Sequence, residues 1–97
     1  MEKLKQEILA VVGRRLDLGK YRVFFFGSRV AGKGTERSDI DVGVEGPDPV
    51  PMMVLSAIQE EIDDIPTLYK IDIVDFRHLT PKFREVALQY VESLQAI

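Results

Sequence analysis

The stretch Asp39-Ile40-Asp41-Val42-Gly43-Val44-Glu45 decides how the rest of the chain is read. Apolar Ile40, Val42 and Val44 alternate with polar or small residues, the period-two signature of a strand with one buried face. Asp39 and Asp41 therefore share the other face, about 7 Å apart along the backbone. Two like charges that close repel unless a cation or water reaches both.

Working outward, Tyr21-Arg22-Val23-Phe24-Phe25-Phe26 is a short aromatic and β-branched run that reads as a buried strand, ended by Gly27-Ser28. Residues 29–38, with Arg29, Lys33 and Arg37 among two glycines, read as a loop with one helical turn at its start. Gly46-Pro47-Asp48-Pro49 breaks the acid-bearing strand. Met52, Leu55, Ile58 and Ile62 predict a helix over residues 51–64, with the two methionines as core filler or a helix-start contact. Pro66 stops it, because the residue before proline avoids helical geometry. A third strand covers residues 70–76, carrying Asp72 amid Ile71, Ile73 and Val74. Leu4, Ile8, Val11, Val12 and Leu16 form the stripe of a first helix. Thr80-Pro81 caps a last one, with Phe83, Val86, Ala87, Tyr90 and Leu94 on one face. The expectation is an α/β (α+β) fold: a small mixed three-stranded sheet with flanking helices.

Connection lengths then bring the acids together. The first two strands pair antiparallel across the loop, which sets Gly27-Ser28 beside Asp39 and Asp41. A helical crossover makes the third strand parallel to the second, so Asp72 arrives at the same edge. Carboxylates without nearby His or Cys suit Mg²⁺, or Mn²⁺, rather than zinc. Two such ions about 4 Å apart can polarise a phosphoryl group, activate a hydroxyl and steady pyrophosphate. Gly27 lets backbone approach a phosphate, and Ser28 can donate its hydroxyl and N–H.

Gly27-Ser28-Arg29-Val30-Ala31-Gly32, followed by Ser38-Asp39-Ile40-Asp41-Val42, resembles the signature of the DNA polymerase β nucleotidyltransferase superfamily. Ile71-Asp72-Ile73-Val74-Asp75-Phe76 resembles the third-acid strand of its smallest members, the minimal nucleotidyltransferases. The resemblance runs from the first strand to the last helix and implies a polymerase β-like fold. It implies that Asp39 and Asp41 bind both metal ions. Asp72 would complete the ion that activates the acceptor and help take its proton. Gly27 and Ser28 would hold the triphosphate, with Arg29 and Lys33 as further phosphate contacts. The implied reaction moves a nucleoside monophosphate, AMP first, from an NTP (ATP) to a hydroxyl. The implied partner, with which the chain would form an oligomer, is a small all-helical protein of the HEPN or substrate-binding type; some relatives act as the antitoxin of such a toxin. Family members often carry Arg or Lys where this chain has Ala31, so a phosphate contact there is lost or moved to Arg29, Lys33 or Arg37.

Composition narrows the field. The 97 residues, 45% hydrophobic and 30% charged, are expected to form one domain over residues 1–97. No apolar run approaches the ~20 residues of a membrane span. The charged start, Met1-Glu2-Lys3-Leu4-Lys5, does not read as a secretory signal, and cysteine is absent; a cytoplasmic protein is the expectation. A net charge of −3 argues against long nucleic acid as partner. Asp75, His78 and the acidic cluster Glu60, Glu61, Asp63, Asp64 read as surface or partner-facing residues. Two rival functions share the acids: a module that neutralises its partner by contact alone, and a metal-dependent phosphohydrolase, which lacks an evident water-orienting base.

Overall fold

The structure is a computed structural model that describes residues 2–27 and 39–95. Its elements, in chain order, are α1 (Glu2–Gly13), β1 (Arg22–Phe26), β2 (Ile40–Glu45), α2 (Met52–Asp63), β3 (Ile71–Asp75), a 3₁₀ turn (Phe76–His78), α3 (Pro81–Ala87) and β4 (Val91–Ser93). The sheet order is β3-β2-β1-β4. β1 and β2 pair antiparallel and β2 and β3 parallel, as the connection lengths require.

The sheet has four strands rather than three. The last helix stops at Ala87, and Val91–Ser93 pairs antiparallel with β1, Val91 opposite Phe26. Without this strand the outer edge of β1 would present a row of unpaired N–H and C=O groups. Pairing them outweighs continuing a helix whose apolar positions find no core. Phe83, Val86 and Tyr90 are half or more exposed, while Leu94 is buried only because the chain has turned back.

Period-two alternation divides the core into two layers. Val23, Phe25, Ile40, Val42, Val44, Ile71 and Ile73 face the stripe of α1 (Ile8, Val11, Val12) and α2 (Ile58, Ile62). Phe24, Phe26 and Phe76 pack edge to face on the other side, with centroids 4.8–4.9 Å apart in the pairs to Phe76. Gly43 keeps that aromatic layer closed, since a Cβ there would sit 2.5 Å from the Phe24 ring and 2.7 Å from Phe76.

Two sequence expectations are corrected by this packing. Asp75 faces neither solvent nor a partner; it is 2% exposed, in phase with Ile71 and Ile73. Its carboxylate accepts the Val50 N–H at 2.6 Å and the Arg77 N–H at 3.0 Å, and His78 Nε2 lies 3.2 Å away. α2 begins after Pro51 with no side-chain cap of its own, so this buried acid orders the approach to it. Met52 and Met53 are not core filler, being 66% and 86% exposed.

Candidate active site

Pairing register places the acids before any chemistry is invoked. Phe26 of β1 is opposite Asp41 of β2, and Asp41 is opposite Asp72 of β3. Residues opposite one another in neighbouring strands point to the same face. Asp41 and Asp72 therefore share the face of Phe24 and Phe26, away from α1 and α2. Asp39 lies exposed just ahead of β2. All three acids stand at the end of the sheet where β2 and β3 begin and β1 finishes.

Gly27 closes that end. Its φ of +93° is a conformation that side chains rarely adopt, and a Cβ there would lie 3.1 Å from Asp41 Oδ2. The turn thus requires glycine for its backbone conformation, and the same absence of a side chain leaves room above the carboxylate.

Electrostatics report the crowding. Asp41 is half-buried, and its carboxyl is pushed above the usual range by burial first, then by the charges of Asp72 and Asp39. One carboxylate thus feels both of the others. Among the described residues no three acid, imidazole or thiolate side chains are already closed into a metal-ligating set. The three acids instead gather at one edge of the sheet, where Asp41 feels the charge of both of the others. Its donors are hard oxygens, the type that Mg²⁺ and Mn²⁺ take. By donor chemistry and by the mutual repulsion of its carboxylates, the cluster suits divalent cations.

Of the residues singled out in the sequence, Gly27, Asp39, Asp41 and Asp72 are brought to one place. Ser28, Arg29, Ala31, Lys33 and Arg37 lie outside the described residues. Away from the acids, the same sheet face carries an ion cluster that the sequence reading missed. Glu45, at the far end of β2, takes Arg22 of β1 at 2.6 Å and Arg84 of α3, and these two guanidinium groups hold its carboxyl below the usual range against burial. The visible signal was parity: Glu45 lies in phase with Asp41 and Gly43.

Residues 20–94 match the family described as "Polymerase beta, Nucleotidyltransferase". A relative from Haemophilus influenzae, "Probable protein adenylyltransferase MntA", is 29% identical over 85 residues, covering 86% of this chain and 75% of its own. Among solved structures, a chain from a toxin–antitoxin crystal structure with AMP-PNP superposes with a TM-score of 0.75 at 18% identity, over 96% of this chain and 73% of that one. A chain from the complex of tri-AMPylated Shewanella oneidensis HEPN toxin with MNT antitoxin gives 0.73 at 16% identity, over 100% and 74%. These superpositions establish a shared fold. The family match, which spans the sheet and the acid-bearing strands, establishes that the chain belongs to the polymerase beta nucleotidyltransferase family.

Proposed function

We propose that this chain is a Mg²⁺-dependent nucleotidyltransferase that moves AMP from ATP to a hydroxyl on a small helical HEPN-type partner, and so acts as the antitoxin of a toxin–antitoxin pair. The observation that carries the reading is the register of Asp41 against Asp72, with Gly27 beside the Asp41 carboxylate and Asp39 just ahead of the strand. The nature of the acceptor rests on the relatives, among them a protein named as an adenylyltransferase and a complex containing an AMPylated HEPN toxin.

In this reading Asp39 and Asp41 hold two divalent ions, Mg²⁺ or Mn²⁺, and Asp72 completes one of them. When bound, such ions polarise the α-phosphoryl group and neutralise charge on the attacking and leaving oxygens. The chain's own residues do the rest. Gly27 leaves space for the triphosphate beside Asp41. Ser28, Arg29 and Lys33 contact its phosphates. Asp72 orients the acceptor hydroxyl and takes its proton as the oxygen bonds to the α-phosphorus and the bond to pyrophosphate breaks.

The test is transfer of label from α-labelled ATP to the helical protein encoded beside this chain, with Mg²⁺ and with chelator. Labelling that needs Mg²⁺ supports the proposal; no labelling from any of the four NTPs contradicts it. One observation favours a contact-only reading as well: Phe83, Val86, Tyr90 and Val91 are exposed apolar residues between the start of α3 and the start of β4. If the double variant Asp39→Asn, Asp41→Asn neutralised the partner fully, contact alone would suffice.

A further inference from the structure

A single cation breaks the run of acids at the site end of the sheet. The Ile40 N–H donates to the Lys70 carbonyl at 2.8 Å, the next rung of the parallel ladder that sets Ile40 against Ile71. Lys70 is thereby tied to the ladder two residues ahead of Asp72, about 7 Å away along the backbone. Alternation sets it on the side of the sheet that carries Asp72 and Asp41, next to Asp39. The four-carbon stem of a lysine lets its charge sweep the space above these acids.

That charge is not engaged by the protein itself. Lys70 is exposed and makes no ion pair or side-chain hydrogen bond among the described residues. Arg22 and Arg84, the guanidinium groups on the same side of the sheet, are held by Glu45 at the opposite end. Asp41 reports the same isolation: burial, Asp72 and Asp39 all push its carboxyl up, and no cation pulls it down. The position of Lys70 relative to the reaction follows from strand order. Asp72 of β3 stands on one flank, Asp41 in the middle and Gly27, after β1, on the other. On the proposed reaction pyrophosphate departs toward Gly27, so the attacking oxygen, in line behind the α-phosphorus, comes from the Asp72 flank. Gln59 of α2 bonds to Ile71 and Ile73 along the outer edge of β3. An acceptor therefore comes over the end of the strand, where it meets Lys70.

We infer that Lys70 selects the acceptor: its ammonium holds a carboxylate that stands beside the acceptor hydroxyl, and so sets that hydroxyl against Asp72. This rests on the proposed reaction and adds what the acceptor must carry. The sign follows from the surroundings. The chain carries a net charge of −3 and three acids crowd this edge, so a carboxylate is tolerated here only where a cation offsets them. The NTP supplies the other anion that an ammonium could take, but on the proposed reaction its β- and γ-phosphates lie toward Gly27, two strands away from β3.

The experiment compares Lys70→Met with wild type in labelling of the helical partner from α-labelled ATP, with KM measured separately for the partner and for ATP. Lys20→Met is the control: an exposed lysine ahead of β1, at the opposite end of the sheet, whose loss changes the net charge equally. Expected for Lys70→Met is a rise of about tenfold or more in KM for the partner, the scale of one hydrogen bond between charged groups. The kcat and the KM for ATP should hold, Lys70→Arg should stay near wild type, and Lys20→Met should change nothing. Added salt should raise the wild-type KM for the partner toward that of Lys70→Met and move the variant little. A wild-type KM for the partner in Lys70→Met would overturn the inference. So would a rise in KM for ATP, which would place the ammonium on the triphosphate, or an equal loss in Lys20→Met. Absence of labelling by wild type itself would defeat the proposed reaction, and this inference with it.

Discussion

Asp41 carries opposite demands at one position. Burial and the charges of Asp72 and Asp39 raise its carboxyl above the ordinary range. A group whose folded-state pKa is raised costs stability once pH exceeds its unfolded value, and that cost is complete above the folded one. Asp41→Asn removes the charge and retains the shape. We expect it to raise the metal-free melting temperature by a few degrees near neutral pH, at about 4–8 °C per kcal/mol relieved. The gain should fade as pH falls through the raised pKa, because wild type then becomes neutral too. Nucleotidyl transfer should drop about a thousandfold or more, the scale of losing metal charge stabilisation. Thermal melts and label transfer on one preparation check both. Glu45 has the reverse sign: Arg22 and Arg84 lower its pKa, so its stability contribution is present above the unfolded value and is lost as pH falls through the folded one. Glu45→Gln should therefore melt lower than wild type at neutral pH and converge with it in acid.

At the level of elements, each strand is fixed by what lies on its edges. On the outer edge of β3, Gln59 of α2 donates to the Ile71 carbonyl at 2.8 Å and accepts the Ile73 N–H at 2.9 Å, standing where another strand would pair. Asp75 satisfies the Val50 N–H ahead of α2 and the Arg77 N–H in the 3₁₀ turn. Asp75→Ala strands both donors and should cost about 1–3 kcal/mol, read by denaturant unfolding. Its transfer per folded molecule should hold, since Asp75 faces away from Asp72. The sequence displayed β1, β2, β3 and their directions plainly, because aromatic runs, alternation and crossover length are local signals. It concealed β4, whose three residues sit inside an apolar pattern at helical spacing. Only the unpaired edge of β1, a non-local fact, selects the strand. Asp75 was legible in principle, since it shares parity with Ile71 and Ile73, but a charge in phase with the core reads as surface until its partner Val50 is known.

For the molecule as a whole, the two sheet faces divide the labour. Helices α1 and α2 bury one face and supply most of the core. The other carries the acids at one end, with Phe26 of the aromatic layer opposite Asp41, and at the far end the Glu45–Arg84 pair that ties β2 to α3. Among the described residues no helix is long and apolar enough to cross a membrane. The convergence of Asp39, Asp41, Asp72 and Gly27 followed from strand order alone, which is why it was readable before any coordinates. Divalent cations with nucleotide should bind the folded chain alone and raise its melting temperature, by an amount that grows with ligand concentration above Kd. The account is tested most directly by Mn²⁺ titration with ATP present, followed by electron paramagnetic resonance, on wild type and on Asp39→Asn, Asp41→Asn and Asp72→Asn. It predicts a two-ion site in wild type whose affinity falls in each variant. Unchanged Mn²⁺ binding in all three variants would contradict it.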